Sequence, residues 1–347
     1  MREKTLEEKH LEAEFYAKKF YLSYSGLNKL LDSPTFFYKH YILGQQDDLK
    51  FPGIIMGKAI HCLLLDREMF ENQFLVASSN IPTANTLTVI ERVFEYHCKI
   101  VAEQQLEMTD NDLVFYSNHI LDVLKDINLH QSLKTDSQRI EKIINEQSKD
   151  YFEYLKKAQG KDIIDVETYD KCILAVENIK NNESISELLG LTNNKENVIL
   201  NEHPLQIEPG NFPSIQFGLK GILDNLNINK ETKTIYINDI KRTGKSLIYF
   251  TESIEKYNYW AQAAMYVNLV EANLVELLGT VINNDWKIVF NFIVIDQFNQ
   301  TYAFEVSNAT MHKWKVDLLQ KLYEAEYHYT NNNYSLPYEY ATGKVIL

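Results

Sequence analysis

The sequence predicts a mixed α+β protein, and three observations carry that reading. Through about the first 190 residues, apolar positions recur at helical spacing with charged residues between them, the pattern of amphipathic helices. Beyond that point the texture changes to β-branched runs broken by short polar turns. The second half then orders its elements as meander, helix, two strands and helix, a succession that packs helices on a sheet. With 347 residues, 45% of them hydrophobic, the chain can bury one large core or two ordinary ones.

Taken in order, Ser23 or Ser25 can cap a helix carrying Leu27, Leu30 and Leu31. Ser33-Pro34 then starts a second short helix ending near Tyr41, with proline at a tolerated early position. The run MGKAIHCLLLD, residues 56–66, is apolar enough for a buried helix. Segments 88–107, 111–126, 136–157 and 167–180 show helical periodicity, and the loop IPTANT, 81–86, punctuates them. NVILNEH, IQFGLKGILDNLNI and KTIYINDIKRT read as strands over 197–203, 215–228 and 233–243, with a polar hairpin turn at 229–233. A helix over 254–272, strands at 287–296 and 300–306, and a helix over 308–329 follow, and TNNNYS, 330–335, reads as a surface loop.

Composition narrows the chemistry. Cys62, Cys98 and Cys172 lie far apart without a Cys-x-x-Cys spacing, which excludes a disulfide framework and a cysteine-rich zinc site; each reads as a small packing residue. The N-terminal segment is charged where a signal peptide needs an apolar stretch, and no run approaches the roughly 18 apolar residues of a membrane span. The expectation is a soluble intracellular protein without a membrane partner. Lys and Arg total 35 against 48 Asp and Glu, a net charge of −13, which at first sight argues against a polyanionic partner.

The candidate chemistry sits where strands end in acids. Asp224 closes FGLKGILD and Asp239 closes TIYIND, so a hairpin places two carboxylates at neighbouring positions of one sheet. Such a pair repels itself unless a cation lies between, and oxygen ligands suit Mg²⁺ or Mn²⁺. Lys241, two residues beyond Asp239, points to the same face of an extended strand and can orient a water or meet a developing negative charge. Standing alone, an Asp-x-Lys triplet is usually a strand-end ion pair. Two further features give it context. Gln262 and Tyr266 are spaced i, i+4, so both polar tips can share one helical face, although a tyrosine in a half-buried helix is as often core. His61 lies one turn from Gly57 in an otherwise apolar helix; a lone buried histidine is more often a satisfied core residue, but an imidazole nitrogen can also join carboxylates around a metal.

In this order, Gly57-Lys58-Ala59-Ile60-His61, Asp224, Asp239-Ile240-Lys241 and Gln262 with Tyr266 resemble the PD-(D/E)xK nuclease superfamily, in the branch of RecB-type nuclease domains and the phage exonuclease VIII (RecE) type. The segment LSYSGLNKLLDSPTFFYKHY, residues 22–41, is similar to the Ser-x-Ser, helix, Ser/Cys-Pro, aromatic opening of those domains. The likeness spans residues 21 to about 270, with 80–190 matching only as a helical insertion. The resemblance implies one restriction-endonuclease-like domain over 1–347, a central mixed sheet flanked by helices, a helical N-terminal elaboration, the insertion at about 80–190 and a catalytic β-core at about 195–310. It implies that Asp224 and Asp239 bind the catalytic Mg²⁺ or Mn²⁺, with the Ile240 carbonyl as a backbone ligand and His61 on the metal side. Glu202 falls where exonuclease-type relatives carry an additional acid. Lys241 would position the attacking water, with Gln262 and Tyr266 beside the site and the DNA backbone. Ser25, like Ser23, either meets a DNA phosphate or caps its helix. Three cysteines cannot build the four-cysteine iron–sulfur cluster of some relatives, and no phosphate-binding helicase loop occurs. The family proline before the first Asp is replaced by Ile222-Leu223.

The function so implied is a metal-dependent deoxyribonuclease, a 5′ to 3′ exonuclease on double-stranded DNA ends in phage-type recombination. The resemblance also implies a homo-oligomer, a single-strand annealing recombination protein as partner, and the cytoplasm of a bacterial or phage-infected cell. The alternatives are a structure-specific or single-strand nuclease of repair, replication or defence, and a non-catalytic DNA-binding module on the same fold. Charge is then a question of distribution. Residues 61–215 hold 14 basic and 26 acidic groups, whereas 216–260 hold 7 and 5. A DNA contact is therefore expected in a local basic strip at Lys241, Arg242 and Lys245.

Overall fold

A computed structural model of the chain describes residues 5–45, 52–192, 197–212, 215–279 and 285–343. It begins with α1 (Leu6–Ala17), β1 (Tyr21–Leu22), α2 (Tyr24–Asp32), α3 (Pro34–Phe37) running into a π-helical turn at Tyr38–Ile42, and α4 (Pro52–Leu65). Next come α5 (Arg67–Gln73), β2 (Phe74–Val76), α6 (Ala84–Gln104), α7 (Ser117–Asp126), α8 (Asp136–Ile143), α9 (Glu146–Ala158), β3 (Asp162–Ile164) and α10 (Val166–Asn181). The remainder is α11 (Glu183–Leu188), β4 (Asn197–Ile207), β5 (Gly218–Asn229), β6 (Thr234–Arg242), α12 (Phe250–Lys256), α13 (Tyr259–Ala272), α14 (Leu274–Leu278), β7 (Lys287–Ile295), β8 (Thr301–Val306), α15 (Asn308–Asn331) and α16 (Tyr338–Ala341). This is a mixed α+β fold with a central mixed sheet flanked by helices. The chain divides into two compact units, one of residues 1–66 with 172–347 and one of residues 67–171.

The larger unit holds the sheet. β4 pairs antiparallel with β5, β5 with β6, and β7 with β8, while β6 and β7 run parallel, joined by the helical segment 250–278. Leu226, Ile228, Ile235, Ile237, Phe290 and Phe292 alternate along their strands and are buried in one core cluster with α13 and α15. Every residue from Ala261 to Val270 is buried, and the alanines at 261, 263 and 264 let α13 lie close to its neighbours. Gly221 does the same from the sheet side, because a Cβ there would stand 2.8 Å from a ring carbon of Tyr266.

The sheet forks where the chemistry-bearing residues stand. β5 stays paired with β4 as far as Leu219, but its ladder with β6 stops at Asn225↔Asn238, and β6 goes on with β7 to Arg242↔Ile295. The same edge of β5 is taken up again at Gly218 and Leu219 by the two-residue strand β1, in parallel. Residues 220–224 therefore face a notch on that edge. A second row of polar groups braces the fork from the opposite face. Asn201, Asn225, Asn238 and Asn291 are register partners across four strands. Asn225 donates to Asn201 at 2.8 Å, Asn238 to Asn225 at 2.8 Å, and Asn291 to Asn238 at 3.0 Å. The second amide hydrogens of Asn225 and Asn238 go to the carbonyls of Leu189 and Leu188 at the end of α11.

The smaller unit is helical apart from the parallel pair β2 and β3. Val89, Ile90, Val93, Phe94, Ile120, Leu124, Ile143 and Phe152 form its core, drawn from α6, α7, α8 and α9. His97 is fully buried there, its Nδ1 2.7 Å from the Tyr116 hydroxyl and its Nε2 3.1 Å from the Met108 carbonyl.

Several boundaries differ from the sequence reading, each for a local reason. The helix expected over 136–157 is two helices, because Asn145 leaves helical geometry and its side chain caps Ser148 at 2.9 Å. The helix expected over 254–272 breaks at Asn258, which adopts a left-handed φ of 53°. The helix expected over 88–107 starts at Ala84 and stops where Gln105 turns left-handed. The segment 111–126 opens as a 3₁₀ turn at Leu113–Tyr116, capped by Asp112, before α7 begins. α4 begins a turn before residue 56, with Pro52 at its first position. α15 continues into the expected loop as far as Asn331. β1, β2 and β3 are too short to leave a periodic signal.

Candidate active site

Three strands and one helix deliver the predicted acids, lysine and histidine. Asp224 immediately precedes Asn225, where the β5 ladder with β6 begins, and Asp239 immediately follows Asn238, where the β6 side of that ladder ends. With the ladder ended, the free N–H of Ile240 donates to Asp224 Oδ2 at 2.7 Å, so the carboxylate itself bridges the fork. Asp239 is fully buried and forms an ion pair with Lys241, its neighbour on the same strand face. The Lys241 ammonium also lies 5.1 Å from the centre of the Tyr259 ring, a cation–π contact.

His61 reaches the fork from α4. Its Nε2 is 2.9 Å from the Ile240 carbonyl and 3.6 Å from Asp224 Oδ2, and its Nδ1 is 3.7 Å from Glu202 Oε1. Glu202 stands on β4 between the register pairs Asn201↔Asn225 and His203↔Leu223, opposite Asp224. Its backbone is left-handed at φ 46°, a conformation that costs a non-glycine residue energy and is found most at functional sites. One ligand atom each from His61, Glu202 and Asp224 lies within 4.8 Å of the others.

The electrostatics follow from burial and neighbours. Burial alone would lower the His61 pKa, but the Asp224 charge, the contact with Glu202 and the Ile240 carbonyl outweigh it and push the imidazole up to about 9. Burial raises Asp239 above the usual carboxylate range, Lys241 pulling it down and Asp224 adding to the rise. Lys241 is raised in turn: its burial disfavours the charge, but Asp239 and Asp224 more than compensate. The Tyr266 phenol is pushed far up, first by burial and then by Asp224 and Asp239, so it stays protonated.

Gln262 and Tyr266 come together on α13, with Gln262 Nε2 donating to the Tyr266 hydroxyl at 3.1 Å. Both line an open cleft of about 850 Å³ with Ser23, Ser25, Lys220 and Ile222. Ser23 is the residue that caps α2, accepting from Gly26 N, while the Ser25 hydroxyl lies 3.1 Å from that of Ser23. Lys245 pairs with Glu252 at 3.0 Å in solvent, and Arg242, half-buried at the end of β6, has its Nε buried without a hydrogen bond. The sequence reading missed Tyr259 and the asparagine row. Asparagine is depleted in strands, so its recurrence at 225, 227, 238 and 291 within β runs was the available signal.

The donors fit a divalent cation. Both oxygens of Asp239 are buried, and among the described residues their charge is met by the paired Lys241, with a smaller contribution from His61. Glu202 and Asp224 offer carboxylate oxygens suited to Mg²⁺ or Mn²⁺, and the His61 nitrogen adds a ligand that Mn²⁺ accepts more readily.

Comparison of the sequence with protein families and with curated proteins gives no match. Among solved structures, the chain is similar to the crystal structure of “Putative exonuclease” from Eubacterium rectale, with 11% identity and a TM-score of 0.41 over 100% of this chain and 89% of that one.

Proposed function

We propose that the protein is a metal-dependent deoxyribonuclease whose active site is the fork between β5 and β6. The observation that carries this reading is the convergence there of Asp224, Asp239, Lys241, His61 and Glu202, five residues from three strands and a helix. Asp224, Glu202 and His61 would hold the ion, with Asp239 and the Ile240 carbonyl beside them. Magnesium or manganese bound there supplies Lewis acidity toward the phosphodiester and makes a bound water more acidic. The protein's own groups do the rest. Lys241, kept charged by Asp239, orients the attacking water and faces the negative charge that develops on phosphorus-bound oxygen. Gln262 and Tyr266, both neutral, present hydrogen-bonding groups toward the substrate backbone in the cleft. Arg242, Lys245 and Ser25 are the nearby candidates for phosphate contacts.

In its finer form the proposal is a 5′ to 3′ exonuclease on duplex DNA ends, acting as a homo-oligomer with a single-strand annealing protein in phage-type recombination, in the cytoplasm of a bacterial or phage-infected cell. The sequence resemblance supports it. The test incubates the protein with linear and covalently closed circular duplex DNA, with and without Mg²⁺. Shortening of linear DNA alone, only with the ion, is expected. Equal cutting of circles would remove the exonuclease assignment, and no cutting of any DNA with Mg²⁺ or Mn²⁺ would remove the nuclease.

A further inference from the structure

The turn between α12 and α13 presents an exposed aromatic ring from a backbone that is locked in place. The Tyr257 carbonyl accepts two hydrogen bonds from α2, from the Tyr24 hydroxyl at 2.5 Å and from Asn28 Nδ2 at 3.0 Å. Asn258, left-handed at φ 53°, donates from Nδ2 to Asn28 Oδ1 at 3.1 Å. Tyr257 itself is 48% exposed. Its ring centre lies 5.5 Å from that of Tyr259, which in turn carries the Lys241 ammonium at 5.1 Å. The exposed ring is thus no more than about 11 Å from the site lysine, the length of about three stacked nucleotide steps.

Resting on the nuclease reading, we propose that Tyr257 is a positioning residue that stacks an unpaired base of the DNA strand entering the fork. The chemistry of the patch fits single-stranded DNA rather than duplex. A stacking platform needs a free aromatic face and cations for the flanking phosphates. Lys256 already lies 5.3 Å from the Tyr257 ring centre, and as an exposed, flexible group it can move onto a phosphate as a base takes its place. Arg242 and Lys245 lie on the chain between Lys241 and this turn, in the part of an acidic protein where basic groups prevail. Paired bases hide their faces in the duplex, so a preformed ring selects strands that have already opened. Because the turn is held by α2, little ordering is lost on binding.

The experiment measures binding of the full chain to a short single-stranded oligonucleotide carrying 2-aminopurine, without divalent ion, and steady-state cleavage of a duplex with a single-stranded overhang. Quenching of the probe by the native protein is expected. Tyr257→Ala and Tyr257→Leu should weaken binding about 5- to 150-fold and raise KM with kcat little changed, whereas Tyr257→Phe should bind within about twofold of native. Two variants guard against a folding defect, and an unchanged melting temperature is expected for a half-exposed ring. Native-like binding by Tyr257→Ala, equal losses in Tyr257→Phe and Tyr257→Ala, or a fall in kcat at constant KM would each overturn the proposal. Cleavage by the native protein without probe quenching overturns the stacking alone. Absence of both cleavage and DNA binding overturns the nuclease reading, and the stacking with it.

Discussion

His61 in the sheet-bearing unit and His97 in the helical unit each have a ring nitrogen within hydrogen-bonding distance of a backbone carbonyl, yet their surroundings drive them in opposite directions. His97 is sealed among Phe94, Phe152 and Tyr116, and burial lowers its pKa, so it stays neutral and serves as a polar packing piece. His61 faces Asp224 and Glu202, which lift it to about 9. The difference teaches what separates a site from a core. The polarity of His97 is closed upon Tyr116 and the Met108 carbonyl, whereas at the fork three carboxylates gather around Lys241 and His61.

The strongest way to break this contrast is to disarm the fork. Lys241→Ala is expected to lower the rate of DNA hydrolysis about 10²- to 10⁴-fold. Asp239→Asn should inactivate and also destabilise by about 3–5 kcal/mol, since it strands a buried ammonium. Cleavage assays and denaturant melts on the two variants check both parts, and undiminished turnover in either would return the fork to a structural ion pair. Next in size, Phe152→Ala in the helical core should cost about 3–5 kcal/mol of stability. In folded protein it should leave metal affinity unchanged by calorimetry, and a weakened metal site would show that the helical unit takes part in the chemistry.

Asn238→Leu is a smaller perturbation of the sheet. It removes the donor to Asn225 and the acceptor for Asn291, at about 1–3 kcal/mol for each group left unsatisfied, read by urea denaturation. The mildest effect is on pH. His97 has a depressed pKa in the fold, so its contribution to stability is present above its unfolded value near 6.5 and fades as pH falls below it. His61 has a raised one, so in metal-free protein its contribution is full below 6.5 and is lost as pH rises through about 9. Ring proton signals in a metal-free NMR titration should find His61 charged and His97 neutral at pH 7. Titration of both near 6.5 would erase the distinction.

The α+β class was legible because burial imposes periods on sequence. Alternation and helical spacing predict the strands containing Asp224 and Asp239 and long helices over 88–107 and 308–329, which stand at 84–104 and 308–331. Breaks at Asn145 and Asn258 were not legible, since a single residue leaving helical geometry does not disturb the period around it. At the site, the pairing of Asp239 with Lys241 followed from their two-residue spacing on one strand face. Tyr259 under Lys241 did not, because the contact joins the end of β6 to the start of α13 across the intervening α12, a tertiary approach that leaves no periodic signal. Nor did the left-handed backbone of Glu202, which depends on the fork rather than on its neighbours in sequence.

The asparagine row bears on how faithfully the chain finds this arrangement. Residues 238 and 239 point to opposite faces, so a slip of β6 by one position against β5 would exchange amide and carboxylate. The amides would then lose partners that only correct alignment provides, and Asp239 and Lys241, which share a strand face, would be carried together to the face away from Asp224. An apolar row in the same place would tolerate such a slip far better. The row thus works as proofreading during assembly: misaligned sheets are penalised on the face away from the chemistry, before any substrate can reveal the error.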